Sequence, residues 1–246
     1  YALRQPADLL AWLRAGDAPL TSAPVANLAS YFGVPLLPDR RESFAIDAQF
    51  ALDGSLLIRS DAGRDDHGPD TAHLHARQTT GRREPVLSGT SAAGALRARA
   101  TRVANSLAGW AAEAGRINPS VARDRVRSLV EGIFGPDQIE PGKAYASRLT
   151  IEEHAISEPV NNLVQNRVSI DRFTGGARDT ALFNEQPVFG RPETRIRIKA
   201  WLVKPRPAEI GLLLLLLKDL WTRDLPLGGE SGVGRGRLAG RQAALT

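Results

Sequence analysis

Six side chains crowd into one polar stretch: Asp65, Asp66, His67, Asp70, His73 and His75. Carboxylates and imidazoles together suit Zn, Mn or Fe, so one class in view is a metal-dependent hydrolase. No matching second cluster occurs in the sequence, and His154 is the one further histidine. The metalloenzyme is therefore the less favoured class, and no transition-metal ligand set is assigned. An aspartate of this stretch has other uses. It can position a hydroxyl nucleophile, accept its proton, or hold a divalent cation beside a phosphate. The bland alternative is a solvated acidic loop, since loops readily carry Asp and Gly.

A second chemistry is written in glycine and arginine. Between Leu225 and Leu238, six of fourteen residues are Gly or Pro, with Arg235 and Arg237 interleaved. Glycine lets backbone N–H groups approach a ligand closely, and the guanidinium fork suits phosphate. Gly228, Gly229, Gly234, Arg235 and Arg237 are thus a candidate phosphate cradle. No Lys-Ser/Thr follows these glycines, which excludes a Walker-type nucleotide loop. Two further segments have the same flavour. Around Gly89, Thr90 and Ser91 a helix begins, whose free N–H groups attract phosphate, and Arg97, Arg99 and Arg102 follow in the next turns. Arg172, Phe173 and Thr174 lead a Thr-Gly-Gly turn, where exposed Phe173 and Phe183 beside Arg172 and Arg178 could stack on bases. The alternatives stay open: a capped surface helix with solvated arginines, and a hairpin whose aromatics pack inward.

The elements that must carry these groups are legible in outline. Helices are expected over residues 7–14 and 24–32, then breaks at Pro35 and Pro38. Phe44, Ile46, Ala48, Phe50 and Leu52 alternate with more polar residues, a strand. Asp53-Gly54 is a turn signal, and residues 55–59 read as a short strand. Residues 60–84 read as loop. Leu96, Ala100, Val103 and Leu107 form one face of a helix from about Ala92 to Ala114, capped by Thr90 or Ser91. A second amphipathic helix lies within 117–145, and residues 147–190 are hairpin-like. Residues 194–203 alternate as a strand with one cationic face. Pro207 opens a helix running to about Trp221, and Gly236 to Ala243 form a final strand. Strand, helix, insertion, strand, helix, strand is an α+β arrangement close to the ferredoxin-like βαββαβ plan, whose open sheet is used repeatedly for RNA.

Bulk composition agrees with an anionic partner. The net charge is +5, and only four of the 32 basic residues are lysine, the other 28 being arginine. A GC-rich genome explains such a bias as readily as a nucleic-acid partner does. The absence of cysteine excludes disulfides, thiolate metal sites and a cysteine nucleophile. Methionine is absent even at position 1, so the chain is expected to be processed, trimmed or part of a longer polypeptide. The longest apolar run, Ile210–Leu217, is far shorter than the roughly 20 residues of a spanning helix; no membrane partner is expected.

Taken in order, three segments resemble the CRISPR RAMP superfamily, most closely the backbone subunits of type III effector complexes. The family's Pro-hydrophobic-x-Gly-Ser-Ser-hydrophobic-Lys-Gly-x-hydrophobic-Arg is similar to Pro85–Arg97. Its Ile-Asp-Arg-x-Thr-Gly element is similar to the run from Ile170 to Glu185, and its Gly-Gly…Gly-x-Gly-Arg loop to Gly228–Arg237. The motif lysine falls here at Ala93, and an arginine usual after the Gly-Gly pair falls at Val233. The resemblance spans about residues 42–246 and implies an RRM-like palm over residues 41–246. It implies an inserted thumb hairpin at about 147–190, with residues 1–40 as an N-terminal helical extension or the end of a preceding domain. It implies a ribonucleoprotein of antiviral defence in a prokaryotic cytoplasm. The partners would be guide RNA, target RNA and other RAMP subunits, with a thumb that wedges into the guide–target duplex and Phe173 and Phe183 as its wedge or packing residues. It also implies an endoribonuclease using an aspartate about ten residues before a Thr-Gly pair. Thr80-Gly81 is that pair, and counting back reaches Thr71 with Asp70 beside it. Asp65 and Asp66 share the loop, and Mg²⁺ would assist cleavage. A purely structural RNA-binding subunit is the alternative.

Overall fold

The computed structural model describes residues 14, 33–35, 41–60, 68–78, 81–137 and 144–246. The chain divides into a unit of residues 1–40 with 79–81 and a unit of 41–78 with 82–246. The helices expected over 7–14 and 24–32 lie outside the described residues, Arg14 apart, as do Asp65, Asp66 and His67. The second unit carries the elements described below.

Strands β1 (Ser43–Asp53), β2 (Ser55–Leu56), β3 (Arg59–Ser60), β4 (Thr71–His73), β5 (His75–Arg77) and β6 (Arg83–Leu87) lead to helices α1 (Gly89–Glu113) and α2 (Pro119–Phe134). Next come β7 (Leu149–Ile151), β8 (His154–Ala155), β9 (Gln165–Ile170), β10 (Ala177–Gln186), β11 (Val188–Phe189) and β12 (Ile196–Val203). Helix α3 (Pro207–Trp221), a 3-10 turn at Ser231–Val233 and β13 (Arg237–Leu245) follow.

The main sheet has the spatial order β13-β1-β12-β7, each neighbour antiparallel. Alternation explains it. Ile46, Ala48, Phe50 and Leu52 of β1, with Ile196, Ile198, Ala200 and Leu202 of β12, all point to one buried face. α1 and α3 join that core through Ala92, Leu96, Ala100 and Ala104 and through Leu212, Leu213, Leu216 and Leu220. Small alanines on its buried face let α1 lie close to its neighbours, while burial of each large side chain contributes roughly 1.5–3 kcal/mol. The other face is polar, and its cations are not free. Arg197 donates to Asp47 at 2.8 Å, and Lys199 to Glu152 at 3.0 Å. The cationic face expected on this strand is therefore a row of ion pairs. Gly240 sits just past a register shift opposite Gln49 and Phe50. A Cβ there would lie 1.8 Å from the Trp221 ring, so β13 can pass under Trp221 only with glycine.

Several boundaries differ from the sequence reading. α1 begins at Gly89, not Ala92, and its cap is Ser88, whose Oγ accepts from the Ser91 N–H at 3.2 Å. Thr90 and Ser91 are inside the helix. The second helix fills only 119–134 of the expected 117–145. The stretch expected to be hairpin-like, 147–190, holds the β9–β10 hairpin and also β7, the edge strand of the main sheet. Residues 60–84 are not all loop, because β4, β5 and β6 lie there.

His73 explains that last difference. Only 1% exposed, it takes an N–H from Ile58 at Nδ1 (3.2 Å) and gives its Nε2 proton to the Val86 carbonyl (3.0 Å). One buried imidazole so ties the 56–59 stretch, β4 and β6 together. Burial pushes its pKa from 6.5 down to about 4, against the raising effect of its backbone bonds. The unfolded chain then binds more protons below the unfolded value, so stability present above about pH 6.5 drains away as pH falls toward 4. At pH 4 the loss is on the order of 3 kcal/mol. Thermal melts from pH 7 to 4.5 should show this slope, and His73→Gln should flatten it while lowering stability at pH 7. An equal slope in both proteins would refute the assignment. Among the described residues, no helix is long and apolar enough to cross a membrane.

Candidate nucleic-acid interface

The 170–185 segment forms the β9–β10 hairpin, and its tip is closed by its own sequence. The Asp171 carboxylate accepts from the N–H groups of Phe173 (2.8 Å) and Thr174 (2.9 Å). Asp171 N–H donates to the Gly176 carbonyl and Gly175 N–H to the Asp171 carbonyl, both at 2.9 Å. Gly175 takes φ +68°, which glycine allows without strain. The Thr174 and Phe173 amides hold the Asp171 carboxyl below the usual range. This Asx-type turn leaves Phe173 100% exposed, with Arg172 exposed beside it. Val168, Ile170 and Leu182 are exposed apolar residues further down the arms. Phe183 packs instead: it is half-buried, with the Arg167 guanidinium 5.7 Å over its ring, the packing alternative of the two expected for it. Sequence reasoning assigns no role to Asp171; an Asp five residues before Gly-Ala, in a run with two glycines, is the signal that marks it.

The glycine-arginine loop meets this hairpin at its base. Glu230 binds Arg167 of β9, and Arg167 also reaches Glu185 of β10 at 3.0 Å. Arg235 is 4% exposed and Glu185 1%. Arg235 donates to Glu185 and to Gln165, each at 2.8 Å. The hydrogen bond to Glu185 is the chief cause holding the Arg167 pKa above its usual value. Arg235 is therefore a buried brace and not the exposed phosphate ligand expected, because Glu185 and Gln165 of the hairpin arms claim its guanidinium. Arg237 remains exposed at the start of β13.

The glycines divide by purpose. At Gly236 a Cβ would fall 1.9 Å from the Leu227 carbonyl oxygen, and at Gly228 2.5 Å from that of Leu57. Both have positive φ, so these two serve the loop's own packing. Gly229 donates its N–H to the Leu57 carbonyl at 2.7 Å. Gly232 and Gly234 have open space where a Cβ would stand, and Ser231–Gly234 form the exposed tip. That tip is the part of the loop able to offer backbone to a ligand.

At the start of α1, Gly89 packs so tightly that a Cβ would lie 2.2 Å from the Ile151 carbonyl oxygen. Its glycine thus answers to β7 first. Thr90 is exposed and Ser91 half-buried, and Ser91 Oγ lies 2.9 Å from Ser88 Oγ. Arg99 is tied to the protein through one nitrogen: its Nε donates to Asp219 of α3 at 2.7 Å. Burial would raise the Asp219 carboxyl, but Arg99 and Lys218 overcome it and hold the pKa below its ordinary value. Arg97 points elsewhere, 3.3 Å from Asp137.

Asp70 stands at the base of the hairpin. Its Oδ2 accepts from the Asn184 N–H at 2.8 Å, while its own N–H donates to Asn184 Oδ1 at 2.6 Å. The following residues, Thr71 and Ala72, pair in parallel with Glu185 and Gln186 of β10. The residue is exposed, so its carboxylate faces solvent beside β10. His73 has both ring nitrogens engaged, and His75 Nδ1 lies 2.8 Å from the His73 carbonyl. Among the described residues no group of three or more His, Asp or Glu could hold a metal ion.

The arrangement joins the hairpin and the glycine loop directly through Arg167, Glu185, Glu230 and Arg235. The start of α1 is linked to them through β6, His73 and β4. Three comparisons bear on what this architecture is. No curated protein matches the chain. Among 183 matching chains of known structure is one from a cryo-EM structure of the type III-B Cmr-beta complex bound to cognate target RNA. It is 11% identical with a TM-score of 0.52, and the match covers 83% of this chain but 61% of the other. Identity that low establishes shared fold alone, and the chain spans about three fifths of that relative. A family model settles the rest: it runs over residues 33–239, through α1's start, the hairpin and the glycine loop alike, and the chain belongs to the RAMP superfamily.

Proposed function

We propose that this chain is a CRISPR type III effector subunit that binds guide RNA along its phosphate backbone and shapes the guide–target duplex. The main sheet with α1 and α3 is read as the ferredoxin-like, RRM-like palm: its strands run in chain order β1, β7, β12, β13, with α1 and the additional α2 between the first two and α3 between the last two. The β9–β10 hairpin is the thumb. The single observation carrying this reading is the hairpin tip, which presents a fully exposed phenyl ring and an exposed arginine on a turn that closes itself. Water gains nothing from a bare ring there; a base stacked on it does. The exposed Val168, Ile170 and Leu182 extend the apolar surface toward a duplex edge or a neighbouring RAMP subunit. Arg172, Thr174, Arg237 and the open glycines of the loop tip would supply phosphate contacts.

The same reading makes the chain a candidate target-RNA endoribonuclease of a prokaryotic cytoplasm, with Asp70 at the site. Mg²⁺ binds through one or two carboxylates plus phosphates and water rather than a protein cage. Asp70 offers one such carboxylate, one oxygen of which already accepts from Asn184. It fits an ion shared with RNA, whose chemistry would be neutralising charge on the scissile phosphate.

The test is RNA binding by the full chain across a salt series. Affinity should fall on a log–log plot with a slope of about −0.7 per phosphate neutralised. Phe173→Ala should weaken binding by roughly 1–3 kcal/mol with the slope unchanged. Arg172→Ala should make the slope shallower and act on all sequences alike. A chain that binds no RNA at low salt, or a strong sequence preference in the losses, would overturn the reading.

A further inference from the structure

Away from the hairpin, α1 and α2 enclose a cleft that plays no part in the thumb or the glycine loop. It has a volume of about 790 Å³ and adjoins a second opening of about 630 Å³ toward Lys204 and Arg206. The two share Arg127, Glu131 and Tyr145, so they adjoin across those side chains and together make a trough along α2.

We infer that this trough is a second seat for single-stranded RNA, separate from the hairpin and the glycine loop, in which Arg123 and Arg127 take phosphates and Tyr145 stacks on a base. The inference rests on the proposed RNA-binding function and extends it to the helical layer.

Three observations converge. First, Arg123 and Arg127 line the trough one helical turn apart and are exposed. Side chains four apart on a helix are neighbours, so two guanidinium forks can take adjacent phosphates. Neither makes an ion pair among the described residues. Arg97, by contrast, is committed to Asp137. Arg148 is committed to the Gly132 carbonyl at 2.7 Å, the Lys204 carbonyl at 2.6 Å and the Glu209 carboxylate. Second, Tyr145 is 53% exposed on the wall shared by both openings. A solvent-facing ring between two groups of cations is the arrangement that grips single strands.

Third, the α1 wall carries no side chain at Gly94, which is exposed. Gly94 sits in the sixth position of a 25-residue helix, where glycine weakens the helix relative to alanine. A Cβ added to it would meet nothing within 4 Å, and φ there is not positive. Neither packing nor backbone conformation requires this glycine. Leaving helix backbone open in one wall of an arginine-lined cleft permits close approach of a sugar–phosphate chain. Acidic Asp124 and Glu131 line the trough too, yet with Arg97 paired to Asp137 and Arg148 to Glu209, Arg123, Arg127, Lys204 and Arg206 still outnumber them.

The experiment measures binding of a single-stranded oligouridine to the full chain as a function of salt, with circular dichroism melts to certify folding. Arg123→Gln/Arg127→Gln should reduce the magnitude of the log–log slope by about 1.4, two phosphates' worth, and weaken binding roughly ten-fold or more at 0.1 M salt. Arg123→Lys/Arg127→Lys should keep the slope. Gly94→Leu, which puts a side chain into the cleft from the α1 wall without altering charge, should weaken binding with the slope intact. If the Gln pair and Gly94→Leu both bind as the unaltered protein does while Phe173→Ala loses affinity, the trough is not a seat and the assignment of the hairpin survives. If the unaltered protein shows no salt-dependent binding, the RNA-binding function itself falls and this inference with it.

Discussion

Glu185→Ala is expected to lower the free energy of unfolding by about 3–5 kcal/mol, the cost of breaking a buried ion pair from one side. Glu185 and Arg235 are both almost fully enclosed, and the carboxylate is 2.8 Å from Arg235 and 3.0 Å from Arg167. Deleting it leaves a buried guanidinium whose remaining carboxylate, Glu230, is 3.8 Å away and whose Nη1 already lacks a partner. Ionised groups cannot be left so without a large penalty. The damage should be directional. Arg235 and Glu230 belong to the glycine loop, whereas Gln165, Arg167 and Glu185 belong to the hairpin, so hydrogen exchange should quicken in both at once and least in β1. Urea titration gives the total. The double substitution Glu185→Leu/Arg235→Met should recover most of the loss, because well-packed apolar side chains often replace a buried pair at no net cost. A Glu185→Ala protein within about 1 kcal/mol of the original would show that the network is not holding these segments.

The second large effect concerns Asp70. In the proposed cleavage, the carboxylate positions the 2′-hydroxyl next to the scissile phosphate and accepts its proton. The 2′-oxygen bonds to phosphorus as the bond to the 5′-oxygen breaks, and that oxygen takes a proton from water. The products are a 2′,3′-cyclic phosphate and a 5′-hydroxyl. Removing such a base slows reaction by about 10²–10⁴-fold. Asp70 also accepts the Asn184 N–H, so alanine there confuses chemistry with anchoring. Asn is the cleaner replacement: its side-chain oxygen keeps the Asn184 bond and the shape but loses the negative charge and the base. Asp70→Asn should abolish cleavage of guide-complementary RNA in the assembled complex while leaving RNA affinity intact. Cleavage that persists with Asp65, Asp66 and Asp70 all replaced assigns the chain the purely structural role.

The sheet is legible in the sequence where period-two alternation is strict, as in β1 and β12, because one buried face dictates the register. Helix positions are legible too, though local pattern starts α1 three residues late. Ser88, Thr90 and Ser91 can all cap, and the choice falls to Ser88 because Gly89 must fit beneath the Ile151 carbonyl, a contact remote in the chain. The polar stretch from Thr71 to Glu84 hides three short strands, since they depend on a buried histidine bonding to distant backbone and not on local pattern. Arginine is the hardest residue to read. Arg235 and Arg99 look like Arg172 and Arg123 in sequence, yet the carboxylates of Glu185 and Asp219 hold the first two. Partners so remote leave no local trace. Motif glycines stand out correctly as a set, but Gly228, Gly236 and Gly89 are held by steric demand from the chain itself.

The hairpin's end carries one more implication. Residues 171–176 bond to one another, so the shape of that apex does not depend on the length of the stem beneath it. Two residues added to or removed from each arm of the stem shift the apex by about 6.6 Å and return it to the same face, because side chains alternate with a period of two. A lineage can thus change how far the aromatic reaches, in near-uniform steps, by insertions in two strands, while the turn at its end is inherited as a finished part.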